Sequence, residues 1–413
     1  MGISPPNIID TIAGEIRMGK TKKIRVAVLY GGRSGEHDVS LVSAANVIQH
    51  LDRSQFEVVP IGIDKHGGWF LGDDTPLLQL QREEERKLFA PTLIGKTAHE
   101  RESDYCSTFS SSPEFNHLAS TGKNGQIGFL TDRIFDVVFP VIHGPLCEDG
   151  TVQGLLELAD VPYVGCGVLS SAIGMDKDVS KRLAKAAGIS IAPYLTIKRG
   201  TFEKNPTHFC TLVEKQLSYP LFVKPSNTGS SVGITKVKHP DDLIPAIQTA
   251  FKYDNKIVVE QGINALEIEV AVLESLENGS DPIVSIPGEV RPTKNHEFYS
   301  YASKYLDENG AELLIPAPLP EELQTKVRQV AKEIFLALEC EGMARVDLFV
   351  ERGTNHIYFN EINSIPGFTK ISMYPKLMGA SGMPYSELLT HLITLATERH
   401  ARKSQLSCEY IAD

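Results

Sequence analysis

Apolar positions run along this chain in two rhythms. Lys22 to Tyr30 ends in a continuous apolar run, Val26-Ala27-Val28-Leu29-Tyr30, as a strand covered on both faces requires. The turn Gly31-Gly32-Arg33-Ser34-Gly35 follows, and then Leu41, Ala44, Ala45, Ile48 and Leu51 recur at helical spacing before a second strand, Phe56 to Ile63. Strand, glycine turn, helix and strand make a βαβ unit, which predicts a Rossmann-like α/β domain on a parallel sheet. A further buried strand, Ile134 to Ile142, stops at His143-Gly144-Pro145, with a helix from Thr151 to Ala159 and a short strand around Tyr163. From Asp176 the texture changes. One helix ends at Gly188, and Leu221 to Lys224 with Ser231 to Val237 predict paired strands. Amphipathic helices are expected at Asp241 to Lys252, Glu321 to Leu338 and Tyr385 to Arg399. Strands are expected at Ile257 to Gln261, Glu267 to Leu273, Val284 to Val290, Val346 to Val350 and Ile357 to Asn360. The second half is therefore α+β with antiparallel pairs.

These patterns divide the chain into an extension (1–20), an α/β domain (21–168), a central α+β subdomain (169–255), a C-terminal α+β domain (256–400) and a tail (401–413). A polar stretch, 91–126, interrupts the first domain as an insertion, behind a solvated helix face containing Arg82-Glu83-Glu84-Glu85-Arg86-Lys87. Composition narrows the function. The chain has 413 residues, 42% hydrophobic and 23% charged, as an ordinary globular protein of two or three domains would. Lys and Arg total 41 against 52 Asp and Glu, a net charge of −11, which argues against a general nucleic-acid binder. An anionic ligand would need a local cationic cluster. The six cysteines form no CxxC pair, the expectation being reduced thiols. With no apolar run approaching ~18 residues and no signal-like N-terminus, a cytoplasmic protein without a membrane partner is expected.

Gly14-Glu15-Ile16-Arg17-Met18-Gly19-Lys20-Thr21 matches the P-loop pattern letter for letter. That mechanism needs a strand before the loop and a helix after it. Here the strand comes after, so the match is a decoy, and Lys20→Ala should leave nucleotide binding intact.

Four constellations carry chemistry. On a strand Arg345, Asp347 and Phe349 share one face, a costly set to bury without a ligand unless it is a structural ion pair. Glu361 and Asn363 also face one way, and with Asp347 they supply only hard oxygens, suited to Mg²⁺ or Mn²⁺ unless they merely cap a strand. Lys224-Pro225-Ser226-Asn227-Thr228-Gly229-Ser230-Ser231-Val232-Gly233 is either a turn or a loop whose N–H groups cover an anion, with Lys224 as the cation. Gly31 to Ser40 and His143 to Gly150 lie at the C-terminal ends of buried strands, where ligands sit in open α/β sheets. Glu36, suited to an ammonium, and His143 are best placed there.

Taken in order, these stretches resemble the D-alanine–D-alanine ligase family of ATP-grasp enzymes. The resemblance is carried by Tyr30-Gly31-Gly32-Arg33-Ser34-Gly35-Glu36-His37-Asp38-Val39-Ser40, His143-Gly144-Pro145 with Glu148-Asp149-Gly150-Thr151, and Met175-Asp176-Lys177. It continues through Lys224-Pro225 with Gly229 to Gly233, Glu297-Phe298-Tyr299 with Lys304-Tyr305, Arg345-Val346-Asp347, and Glu361-Ile362-Asn363-Ser364-Ile365-Pro366-Gly367-Phe368-Thr369. It implies ATP-dependent ligation of two D-alanines through a D-alanyl phosphate, for cell-wall peptidoglycan. It also implies ATP and two Mg²⁺ or Mn²⁺ ions as cofactors, and a homodimer. Lys177, Lys224 and Lys304 would hold ATP, Glu267 the ribose, and Glu260 the adenine slot with Phe349 against the ring. Asp347, Glu361 and Asn363 would bind metal. Glu36, near His143, would take the first ammonium, in a hydrogen-bonded group with Ser230 and Tyr305 that fastens a lid at Lys294 to Asn309. Ser372 and the Met373 backbone would receive the second carboxylate, and Arg345 with the Gly367 N–H the oxyanion. Tyr305 argues against a D-lactate product, whose makers carry a His-containing lid. Alternatives are D-serine or D-lactate as second substrate, or a non-catalytic nucleotide-binding protein. Cys147 stands where the family motif has glycine, which places the conformation of that turn in question.

Overall fold

The computed structural model describes residues 22–72, 134–293 and 311–407, together with Leu77. The P-loop match, the solvated helix, the insertion 91–126, Lys304, Tyr305 and segment 294–309 lie outside the described residues. The first sheet is built from β1 (Ile24–Gly31), β2 (Phe56–Ile63), β3 (Trp69–Leu71) and β4 (Val137–Pro140). Its order is β3-β2-β1-β4; β1 is parallel to β2 and β4, but the edge strand β3 is antiparallel, so the sheet is mixed rather than wholly parallel. β1 lies between its partners, which is why its apolar run is unbroken. Helix α1 (His37–His50) covers it, then α2 (Thr151–Leu158) follows β4, and Tyr163 adds a single parallel bridge to Val138.

Helices α3 (Val168–Met175) and α4 (Lys177–Ala186) lead into β5 (Tyr194–Lys198), α5 (Arg199–Lys204), α6 (Pro206–Gln216), β6 (Leu221–Pro225), β7 (Thr235–Val237), α7 (Leu243–Ala250) and β8 (Lys256–Gln261). The central sheet has the order β5-β8-β6-β7 and is antiparallel throughout. β8 completes it, so the unit closes after Gln261 rather than at residue 255. The strand expected from Ser231 shortens to Thr235–Val237, because Ser231 and Gly233 take positive φ (58° and 74°) and belong to the loop.

The third sheet has β9 (Ala265–Leu273), β10 (Ile283–Val284), β11 (Gly288–Pro292), β12 (Ala311–Leu314), then helix α8 (Glu321–Ala337), β13 (Met343–Glu351) and β14 (Ile357–Asn363). Its order is β12-β11-β9-β13-β14, with β10 beside β9. The single strand expected over Val284 to Val290 is broken in two at Pro287, which has no N–H for the ladder. Helices α9 (Met373–Ala380) and α10 (Tyr385–Lys403) finish the chain.

The cores do not follow the divisions expected from sequence. The central sheet has its own, around Val213, Leu221, Val223, Ile247 and Val259. One face of the first sheet, through Val26, Val28 and Phe139, instead shares a core with Phe368, Tyr374, Leu388 and Leu392 from the far end of the chain. The first and third sheets are therefore held as one body by apolar burial.

Candidate active site

The glycine turn after β1 brings Glu36 to the start of α1, where the side chain is 7% exposed. Gly144 opposite, at φ +83°, leaves room for it: a Cβ there would lie 2.7 Å from Glu36 Oε2. His143 follows β4 and is buried beneath; its ring meets Glu148 Oε1 at 3.4 Å and Ser43 Oγ at 3.2 Å. Burial opposes a charged imidazole, but Glu148, with Glu36 nearby, outweighs it and raises the pKa above the ordinary value of 6.5. Cys147 needs no left-handed backbone, since that conformation falls on Leu146 (φ 71°) and Gly144. The thiol is buried and Gln153 Nε2 donates to its carbonyl at 3.0 Å, so the turn closes without a glycine there.

The loop after β6 reaches across to this corner. Ser230 Oγ donates to Glu36 Oε1, joining the glycine-rich loop to the N-terminal carboxylate. Ser230 and Ser231 both take left-handed φ (48° and 58°), a backbone that turns successive N–H groups toward one side. The loop is pinned at its base: Asn227 donates to Asp254, and Ser226 Oγ donates to Asp176 at 2.9 Å. Lys177, at the start of α4, donates to the Thr228 carbonyl at 2.6 Å and lies 3.8 Å from Glu361. Lys224 lies on β6 and donates to Glu260 on β8 at 2.7 Å.

The third sheet carries the acidic set. β13 pairs with β14 so that Asp347 faces Glu361 and Arg345 faces Asn363, with a bulge between Asp347 and Leu348. Antiparallel partners place their side chains on one face about 5 Å apart. Arg345 forks onto both Asp347 oxygens at 2.7 Å and reaches Glu269 Oε2 at 3.1 Å. Burial works against its charge, but Asp347 and Glu269 more than offset that, and the pKa is raised well above the ordinary arginine value. Glu267 and Phe349 face each other across β9 and β13. Among the described residues no three His, Cys, Asp or Glu side chains are grouped to hold a metal. A cation would rest on Asp347, Glu361 and the Asn363 amide. That set fits a hard divalent ion, because Asn363 Oδ1 is buried and, among the described residues, accepts no hydrogen bond.

After β14, Gly367 packs so tightly that a Cβ would sit 2.7 Å from Ser372 Oγ. Ser372 Oγ accepts from the Thr369 N–H at 3.0 Å and precedes α9, while the Met373 side chain is buried in the core, leaving its backbone at the helix start.

Comparison with known proteins matches two family models, the N-terminus of D-Ala D-Ala ligase over residues 25–166 and its C-terminus over 183–394. The chain belongs to the D-alanine–D-alanine ligase family. It is similar to the D-alanine–D-alanine ligase A of Bradyrhizobium diazoefficiens, 50% identical over 94% of this chain and 99% of that one. It is also similar to a D-alanine–D-alanine ligase of Caldicellulosiruptor bescii, 47% identical over 93% and 98%. Among solved structures, the VanG D-Ala:D-Ser ligase of Enterococcus faecalis superposes with a TM-score of 0.71 at 34% identity, covering 91% of this chain and all of that one. The Coxiella burnetii D-alanine–D-alanine ligase gives 0.68 at 33% identity, covering 93% and 96%.

As a member of this family the chain is an enzyme of ATP-grasp architecture. Its residues Glu36, His143 and Ser230 meet at one corner, Lys177 approaches Glu361, and Arg345, Asp347, Glu361 and Asn363 share one sheet face. Both Glu260 oxygens meet lysines, Lys224 on the first and Lys181, whose Nζ lies 2.7 Å away, on the second. Lys181 and Glu269 were not anticipated from sequence, and Glu148 stood in a quoted motif without a role. Lys181 follows Lys177 by four residues and so shares its helix face, and Glu269 follows Glu267 by two on one strand face; both periodicities could have pointed to them.

Proposed function

We propose that the protein joins two D-alanines to D-alanyl-D-alanine at the expense of ATP, for peptidoglycan, with the residues above in the roles their resemblance implies. The observation that carries the reading is the hydrogen bond from Ser230 to Glu36. It fastens the loop suited to phosphate onto the carboxylate suited to the first substrate's ammonium, so the two reactants would be held in one place.

A carboxylate is a poor acyl donor. Its oxygen attacks the γ-phosphorus of ATP, ADP leaves, and an acyl phosphate forms. Lys177 and Lys224 would hold the phosphates, with Glu267 at the ribose and Glu260 and Phe349 bordering the adenine. Asp347, Glu361 and Asn363 would hold Mg²⁺ or Mn²⁺, which when bound offsets phosphate charge. The second amine then attacks the acyl carbon, phosphate leaves, and one proton is lost. Arg345 and the Gly367 N–H would stabilise the oxyanion of that tetrahedral intermediate. In the present arrangement Arg345 is held by Asp347 and Glu269, which keeps its charge in place before reaction. Ser372 and the Met373 N–H, at the start of α9, would take the second carboxylate. His143, whose pKa is raised by Glu148 and Glu36, would lend positive character beside Glu36 and so favour its ionised form for the ammonium. Lys304, Tyr305 and a homodimeric assembly follow from the resemblance alone, and a cytoplasmic location from the sequence pattern. Purified protein supplied with ATP and Mg²⁺ should release ADP when D-alanine is added, and less with D-serine or D-lactate. No D-alanine-dependent ADP release would overturn the reading.

A further inference from the structure

Two buried lysines share one buried carboxylate. Glu260 is 2% exposed, and each of its oxygens meets an ammonium at 2.7 Å: Lys224 on one, Lys181 on the other. The lysines differ in what else they touch. Lys181 is 1% exposed and donates to the carbonyls of Asn360 at 3.0 Å and Phe359 at 3.4 Å, the residues just before Glu361. Lys224 lies on β6, which leads into the glycine-rich loop, and among the described residues Glu260 is its only anionic partner.

Charge arithmetic gives the consequence. Glu260 with Lys224 alone would be a neutral, hydrogen-bonded pair, and a neutral pair has little attraction for phosphate. The second lysine leaves the trio with one net positive charge, and Lys181 is too enclosed to present it. Glu260 is ionised: burial resists it, but the two ammonium groups hold its pKa at about 2. Burial and the neighbouring Lys224 lower the pKa of Lys181, against the pull of Glu260, the cost of keeping two cations in one dry site.

We propose that Lys181 is a positioning residue that neutralises Glu260 and so leaves the Lys224 ammonium's charge available for the nucleotide phosphates, while its two carbonyl contacts tie that site to the strand bearing Glu361 and Asn363. This rests on the nucleotide role given to Lys224 above. It adds that the affinity of this site for phosphate is set by a lysine that does not itself reach the ligand.

The test is ATP binding to the full chain by calorimetry, without D-alanine, alongside adenosine. Lys181→Met should weaken ATP binding at least about tenfold and leave adenosine binding within about twofold. Lys181→Arg should retain most of the ATP affinity. Lys181→Met combined with Glu260→Gln should recover ATP binding toward the level of Glu260→Gln alone, since no carboxylate then remains to capture Lys224. A structural role would give equal losses for ATP and adenosine and no recovery, and either result overturns the proposal, as would an unaltered ATP affinity in Lys181→Met. If Lys181→Met does not fold, Glu260→Gln and the double variant carry the comparison. The proposal expects them to bind ATP alike, and a tenfold gap between them would refute it. Failure of the wild-type protein to bind ATP would count against the proposed function instead.

Discussion

Ser230→Ala is the sharpest probe of the link between loop and substrate corner. Ser230 takes φ 48°, and alanine meets the same backbone restriction as serine, so the substitution removes the hydroxyl with little added strain. What is lost is a hydrogen bond to a carboxylate group that is 7% exposed. Such bonds are worth about 1.5–3 kcal/mol, because the carboxylate is left short of a donor where water is scarce. If that energy holds the loop over the reacting groups, kcat/KM for D-alanine should fall about 10- to 150-fold. ADP release coupled to a dehydrogenase, titrated with D-alanine at saturating ATP, reads this directly. Thermal unfolding should show a loss of no more than about 3 kcal/mol, so the enzyme remains folded for the measurement. A kcat/KM within threefold of wild type, with the fold intact, would refute the argument that this bond joins the two halves of the site.

Arg345→Met should remove turnover and also lower stability by about 3–5 kcal/mol, since Asp347 and Glu269 lose the cation that both contact; a chemical denaturation midpoint unchanged from wild type would contradict it. Asn363→Ala should weaken Mn²⁺ binding at least about tenfold, measured by electron paramagnetic resonance, yet leave the melting temperature level or slightly higher, because Oδ1 has no hydrogen-bond donor among the described residues; unchanged Mn²⁺ affinity would remove Asn363 from the metal set. His143 has a raised pKa in the folded protein, so its protonated form contributes stability that is complete below about 6.5 and lost as pH rises through the folded value. The stability difference between wild type and His143→Gln should therefore shrink from pH 6 to pH 9, and a difference that grows with pH would reverse the sign of this reasoning.

Much of the fold was legible because burial imposes its period on the chain. Phe56–Ile63 matched to the residue, and α8 and β14 began where their apolar stripes begin. The misses have identifiable causes. Helices α3, α5 and α6 and strand β5 carry short, mixed patterns in which packing outweighs local preference. Pro287 split a strand whose side chains alone read as continuous.

The same division separates the candidate site. Sequence by itself placed Glu36, His143, Lys177, Lys224, Arg345, Asp347, Glu361 and Asn363 in motifs, since each motif is local and its chemistry depends on residue type and spacing. It could not say that Glu260 would be shared by Lys181 and Lys224, residues 79 and 36 positions away, because an ion pair formed through folding leaves no periodic trace. Nor could it say that Val26 and Phe139 would share a core with Tyr374 and Leu392. Local pattern records which side of an element is apolar, and only the packed molecule decides what that side is packed against. The net charge of −11 came from composition, and the placing of cations where an anion could bind came from tertiary structure. Charge is additive along a chain, whereas the field at a cleft depends on which charges stand within a few ångströms of one another.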